Sequence, residues 1–250
     1  MAATHTIDAL SQFRLHTVFG AAGASVDFTQ SNLMMLISAA VILLGLVWAV
    51  SGRARVPGRA QAAAEMAYEG VLAMCVDTMG PEGRKFFPFV FALFAFILLG
   101  NLIGVWPYAF TFTSHIAVTG FMTLFVVVMV TVVGIAIHGF HFFSYFFPEG
   151  APVALAPLLV PIEIMTYLSR LISLSVRLFA NMVAGHVLLE VFAAFVVMLG
   201  AAGILGWLPA AAALGINVLL IGFEILVAVL QAYVFAILTC IYLHDAIHLH

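Results

Sequence analysis

Two apolar tracts late in the chain, Ile164–Leu199 and Trp207–Leu243, are each too long to cross a bilayer upright. A helix rises about 1.5 Å per residue, so either tract would span about 50 Å against a hydrocarbon core of about 30 Å. Both must tilt, bend or lie partly along the membrane. Only the glycine-rich "GAAGILGW" from Gly200 to Trp207 separates them, so they fold back on each other as an antiparallel hairpin.

The rest of the chain has the same solvent in mind. It is 65% hydrophobic and 8% charged, where a soluble domain is about half apolar and a quarter charged. Three shorter spans precede the hairpin: 33–50, 86–106 and 116–137. The expected fold is an all-α integral membrane protein with five membrane-embedded helices, the last two long and tilted within the unit 162–243. A sixth, amphipathic helix over 61–80 is expected at the interface. There Tyr68, Leu72, Cys75 and Met79 recur at helical spacing, while Glu65 and Glu69 occupy another face. "VPG" at Val56–Gly58 turns the chain into it.

Orientation follows from the basic residues. Five of the eight, Arg53, Arg55, Arg59, Arg84 and Lys85, bracket the segment 51–85, which is therefore read as facing inside. Residues 1–32 then form an outer-side lead-in; Leu15–Val26 is too short, and too interrupted by His16 and Thr17, for a convincing cleaved signal. The loop Pro107–His115 has no Lys or Arg and suits the outer side. The loop 138–161 and the tail 244–250 fall inside, although that loop carries no basic residue. Gly100 and Gly104 form a G-x-x-x-G, read as a helix-packing notch. Cys75 and Cys240, far apart in sequence, are read as packing residues. A net charge of −3 and the absence of a P-loop give no reason to expect nucleic acid or nucleotide. His138, His141, His244, His248 and His250 have tempting metal spacings, but interfacial polar residues are the simpler reading. No metal or cofactor is expected.

Charged side chains inside spans are costly, about 2.5–3.5 kcal/mol for a mid-helix Arg on insertion scales, and they mark function. Here they concentrate in the hairpin. At about 100° per residue, Arg170, Ser173, Arg177 and Asn181 share one helix face, and His186 lies about 180° from Arg177. Glu190 is one turn beyond His186. In the last helix, Asn217, Glu224 and Gln231 form one stripe. Folding the hairpin about position 205 brings His186 and Glu224 to the same depth, with Glu190 nearby. Folding about 204 brings Arg177 level with Gln231. A histidine with neighbouring carboxylates passes protons near neutral pH, whereas arginine stays charged. A proton path thus reaches His186, Glu190 and Glu224 from one side and meets a cation it cannot cross. Apart from Glu163, about four turns away, no intramembrane acid lies near Arg177 on its own face, so its partner carboxylate is expected on another subunit. Blander readings stand beside these. Asn181 and Gln231 would cap a structural Arg177, His186 would bond within a helix interface, Glu163 would serve as a helix-start acid, and Arg170 would snorkel to headgroups.

The same residues resemble a known family. "SLSVRLFANMVAGHVLL" (Ser173–Leu189) and "LQAYVFAILTCIYL" (Leu230–Leu243) are similar to signatures of subunit a of F-type ATP synthases, and "VPGRAQ" and "GNLIGVWP" fit as well. That resemblance implies a stator subunit in a bacterial inner membrane, or a mitochondrial one, beside a rotating ring of small hairpin subunits (subunit c) that each carry an essential carboxylate. It also implies contact with a peripheral stalk subunit b. Two offset half-channels are implied, with Arg177 as the essential arginine between them. Asn181 and Gln231 match polar positions near it, Ser173 a channel-lining position, and Glu163 an acidic position of the inner half-channel. Many bacterial members carry Glu and His at 186 and 224; here they are exchanged, which resembles mitochondrial members and their alphaproteobacterial relatives. A secondary transporter or a structural membrane subunit is the alternative, but no internal repeat is evident.

Overall fold

Hydrocarbon offers backbone N–H and C=O groups no partner, so an apolar chain crosses it as helices that satisfy those groups internally. The computed structural model describes residues 17–19, 28–51, 58–106, 111–139, 156–203 and 206–248. Among them run six α-helices: α1 (Gln30–Ser51), α2 (Arg59–Met79), α3 (Gly83–Val105), α4 (Ile116–His138), α5 (Ala156–Gly200) and α6 (Trp207–Ile247). Five helical stretches are long and apolar enough to cross a membrane, with α2 and α3 counted as one stretch across a 3-10 turn at Gly80–Glu82. Ahead of α1, a short antiparallel ladder pairs β1 (Thr17–Phe19) with β2 (Phe28–Thr29), within a lead-in for which no strand was expected. Arg53, Arg55, Val56, Pro57, His141 and His250 lie outside the described residues, as does most of the loop 138–161.

Helix α6 is the shared wall of the bundle, packed against α5, α3, α4 and α2. Ala228, Ala232, Ala236 and Cys240, spaced by four, are all fully buried. Four-residue spacing stacks them on one face, and their small side chains permit close helix approach. Around them gather Val90 and Ile97 of α3, Val126 of α4, Leu178 of α5 and Cys75 of α2. Cys75 and Cys240, distant in sequence, meet there with their Sγ atoms 3.7 Å apart as free thiols. The buried face of α2 runs through Val71, Met74, Cys75 and Met79. Tyr68 sits at its edge, its ring 4.6 Å from that of Phe87 in an edge-on contact.

Three expectations need correction. Helix α5 begins at Ala156, inside the stretch read as loop 138–161. Pro157 fits the first helical turn, where no backbone donor is needed, so it starts the helix instead of breaking it. Helix α6 continues through the supposed tail to Ile247, where its carbonyl lies 2.9 Å from His138 Nε2 at the end of α4. The G-x-x-x-G notch of α3 receives a loop and not a helix. A Cβ on Gly100 would collide with the Phe112 ring, and one on Gly104 with the Thr111 side chain. Phe112 is 1% exposed, sealed by that notch. Gly100→Val should therefore destabilise the subunit by about 1–3 kcal/mol through overpacking. Its check is the thermal midpoint of the detergent-extracted complex, and an unchanged midpoint would show that the loop does not rely on the notch.

Candidate functional site

The chemistry-bearing side chains divide between two faces of α5. Leu174, Ser175, Leu178 and Met182 are buried against the bundle, while Val176 and Arg177 between them are exposed. Arg177 is exposed and makes no hydrogen bond or ion pair with any described residue. Ser173 is also exposed, one turn before it, and Asn181 is half-buried, one turn after. Neither caps the guanidinium, and Gln231, half-buried on α6, does not reach it by a hydrogen bond. Glu163 is half-buried in the early part of α5. Arg170 differs from the expectation of a headgroup-seeking side chain: its Nη1 lies 3.4 Å from Asp245 Oδ2, and its guanidinium stands 5.5 Å from the centre of the Tyr242 ring. Asp245 is available only because α6 extends past the point where the tail was expected.

Farther along α5, the opposite face, which Leu174, Leu178 and Met182 bury, turns polar. His186 Nε2 lies 3.6 Å from Glu224 Oε1, with the two side chains 12% and 5% exposed. The hairpin bend sets this register, and Gly185 lets the helices close on it: a Cβ there would sit 3.0 Å from the Glu224 oxygen. The same imidazole nitrogen lies 2.8 Å from Thr111 Oγ1. A cavity of about 160 Å³ between α5 and α6 is lined by Asn181, Gly185, Leu188, Phe223 and Glu224 among others. A single water needs about 10–15 Å³ of such space, so the cavity has room for several between Glu224 and the turn that follows Arg177.

Glu190 does not join this pair by a hydrogen bond or ion pair; its Oε2 is buried without a hydrogen-bond partner, as is Asn217 Oδ1. Its place one helical turn from His186 puts Glu190 on the same face of α5. Three residues near the site escaped the sequence reading. Asn101 is fully buried in α3, its Nδ2 donating to the Ala228 carbonyl at 3.4 Å; a lone amide within "GNLIG" was a legible signal. Thr111 and His115 lie in a loop without periodicity. Burial holds the His115 ring below the ordinary imidazole range. Among the described residues, no three His, Cys, Asp or Glu side chains converge to hold a metal ion.

Comparison with known proteins follows the same lines. A family described as ATP synthase A chain matches residues 32–244. ATP synthase subunit a of Granulibacter bethesdensis is 59% identical over 251 residues, covering 100% of both chains. Subunit a of Acidiphilium cryptum is 57% identical over 251 residues, again covering 100% of each. The Rhodospirillum rubrum protein of the same name is 53% identical over 229 residues, 92% of each chain.

Proposed function

The chain belongs to the ATP synthase A chain family, and on that premise we propose that Arg177 is the fixed charge separating two proton half-channels. Subunit a is the proton-conducting stator part of the multisubunit ATP synthase; it is a multi-pass protein of the bacterial inner membrane and no catalyst by itself. The observation that carries the assignment of Arg177 is its exposure without a hydrogen bond or ion pair to any described residue. A guanidinium in that position favours the ionised form of an approaching carboxylate and never gives up its own proton. The carboxylate is supplied by a ring of c subunits turning past α5, and subunit b of the peripheral stalk holds the stator still.

In this reading a proton enters from outside through His186 and Glu224 and crosses the cavity beside Asn181. It then neutralises a ring carboxylate that has just left Arg177. Near the end of a ring revolution, the carboxylate reaches the inner half-channel and releases its proton along Ser173 and Glu163. Gln231 keeps the neighbourhood of Arg177 polar. Glu190 lies beyond His186 as an outer acid of the entry path.

The experiment is ATP-driven acidification of inverted membrane vesicles holding the assembled complex with His186→Ala. Acid–base groups placed in a proton path contribute about 10²–10⁴ in rate, so pumping should slow at least tenfold and its pH dependence should move. Pumping at the normal rate with the normal pH profile would exclude His186 from the path.

A further inference from the structure

We propose that Thr111 is a positioning residue for His186, holding the imidazole ready to pass one proton to Glu224. The inference rests on the proton-path reading above and adds to it a residue from outside the helical hairpin.

One ring nitrogen faces two groups. His186 Nε2 is 2.8 Å from Thr111 Oγ1, a hydrogen bond, and 3.6 Å from Glu224 Oε1, just beyond one. The two partners differ in what they offer. A hydroxyl both donates and accepts, while an ionised carboxylate only accepts. With the ring neutral, Thr111 donates its O–H to Nε2, which puts the ring proton on Nδ1. When a proton from outside lands on Nε2, the hydroxyl turns and accepts from the new N–H. A small rotation of the ring then brings that N–H to Glu224. The N–H bond breaks, an O–H bond forms on the carboxyl group, and the neutral ring returns to the Thr111 hydroxyl. One proton arrives and one leaves.

Thr111 is anchored well enough for this task. It is 5% exposed. Its carbonyl accepts hydrogen bonds from the Ser114 hydroxyl at 2.5 Å and the Ser114 N–H at 3.2 Å. Its side chain seats on Gly104, where any Cβ would strike it. The hydroxyl is thereby referenced to α3, which gives the ring a partner outside the two helices of the hairpin. Among the described residues, the titratable group set against His186 is Glu224 on α6, with Glu190 one turn along α5 itself; Arg177 is on the opposite face of that helix.

The test compares Thr111→Val, which keeps the shape and removes the hydroxyl, with Thr111→Ser, which restores it. Both are measured in the assembled complex in inverted vesicles, by acidification rate across a pH series. Losing one hydrogen bond should slow Thr111→Val about two- to tenfold and displace its pH profile, while Thr111→Ser stays near the unsubstituted protein. A Thr111→Val complex with unchanged rate and profile overturns the proposal. So does a Thr111→Ser complex as impaired as Thr111→Val, since the methyl group would then be what matters. If Thr111→Val fails to assemble, Thr111→Cys supplies the contrast with a similar size and a weak donor: slow and displaced supports the role, normal refutes it. Arg177→Ala in the same vesicles separates the two levels of inference. Coupled pumping in Arg177→Ala defeats the proton-path reading itself, whereas its loss beside a normal Thr111→Val defeats only the role of Thr111.

Discussion

Replacing Arg177 with alanine should abolish coupled proton transport while the complex still assembles. The side chain is exposed and makes no hydrogen bond or ion pair with any described residue, so its removal leaves the packing of Leu174, Leu178 and Met182 untouched. What disappears is a charge. A nearby cation favours an ionised carboxylate by about 10- to 1,000-fold, and without it a ring acid has no reason to shed its proton at the junction. Lysine should not rescue the function, because an ammonium gives up its proton when desolvated and lacks the planar fork of the guanidinium. The measurements are ATP-driven acidification and proton-driven ATP synthesis in the same membranes, with complex abundance as the control for assembly. Normal acidification with Arg177→Ala would end the assignment.

Glu224→Gln should be the second most damaging change. The amide keeps the shape that packs beside Gly185, so stability is preserved, but it neither takes up nor releases a proton. Groups in this role contribute about 10²–10⁴ in rate, and ATP synthesis driven by an imposed proton gradient should fall at least tenfold. Glu224→Asp retains the acid on a shorter stem, lengthens the gap to His186, and should fall between the two. Synthesis at the original rate in Glu224→Gln would remove Glu224 from the path and leave His186 without its acceptor.

The hairpin was readable because helices convert sequence separation into depth. His186 and Glu224 lie nineteen residues either side of position 205, and the folded chain brings them to 3.6 Å. The five apolar stretches were readable for the same reason, since length and composition are what the bilayer selects. The partner of Arg170 was not, because Asp245 becomes a helical neighbour only if α6 runs beyond its last apolar residue. Nor was the lack of a hydrogen bond from Glu190 to the pair, since angular position does not fix side-chain contacts. Thr111 was least legible. Loops carry no period, and its contact with His186 exists only because two glycines on a third helix make room for it. The G-x-x-x-G spacing states only that something approaches α3 closely, and most such notches receive a helix.

The outward-facing guanidinium of α5 also bears on how such a subunit is made. A newly inserted chain presents Arg177 to lipid before any neighbour supplies an acid, at an energetic cost that intramembrane arginine always carries. The isolated polypeptide is therefore an incomplete object, and on the reading proposed for Arg177 a partner's acid finishes its surface.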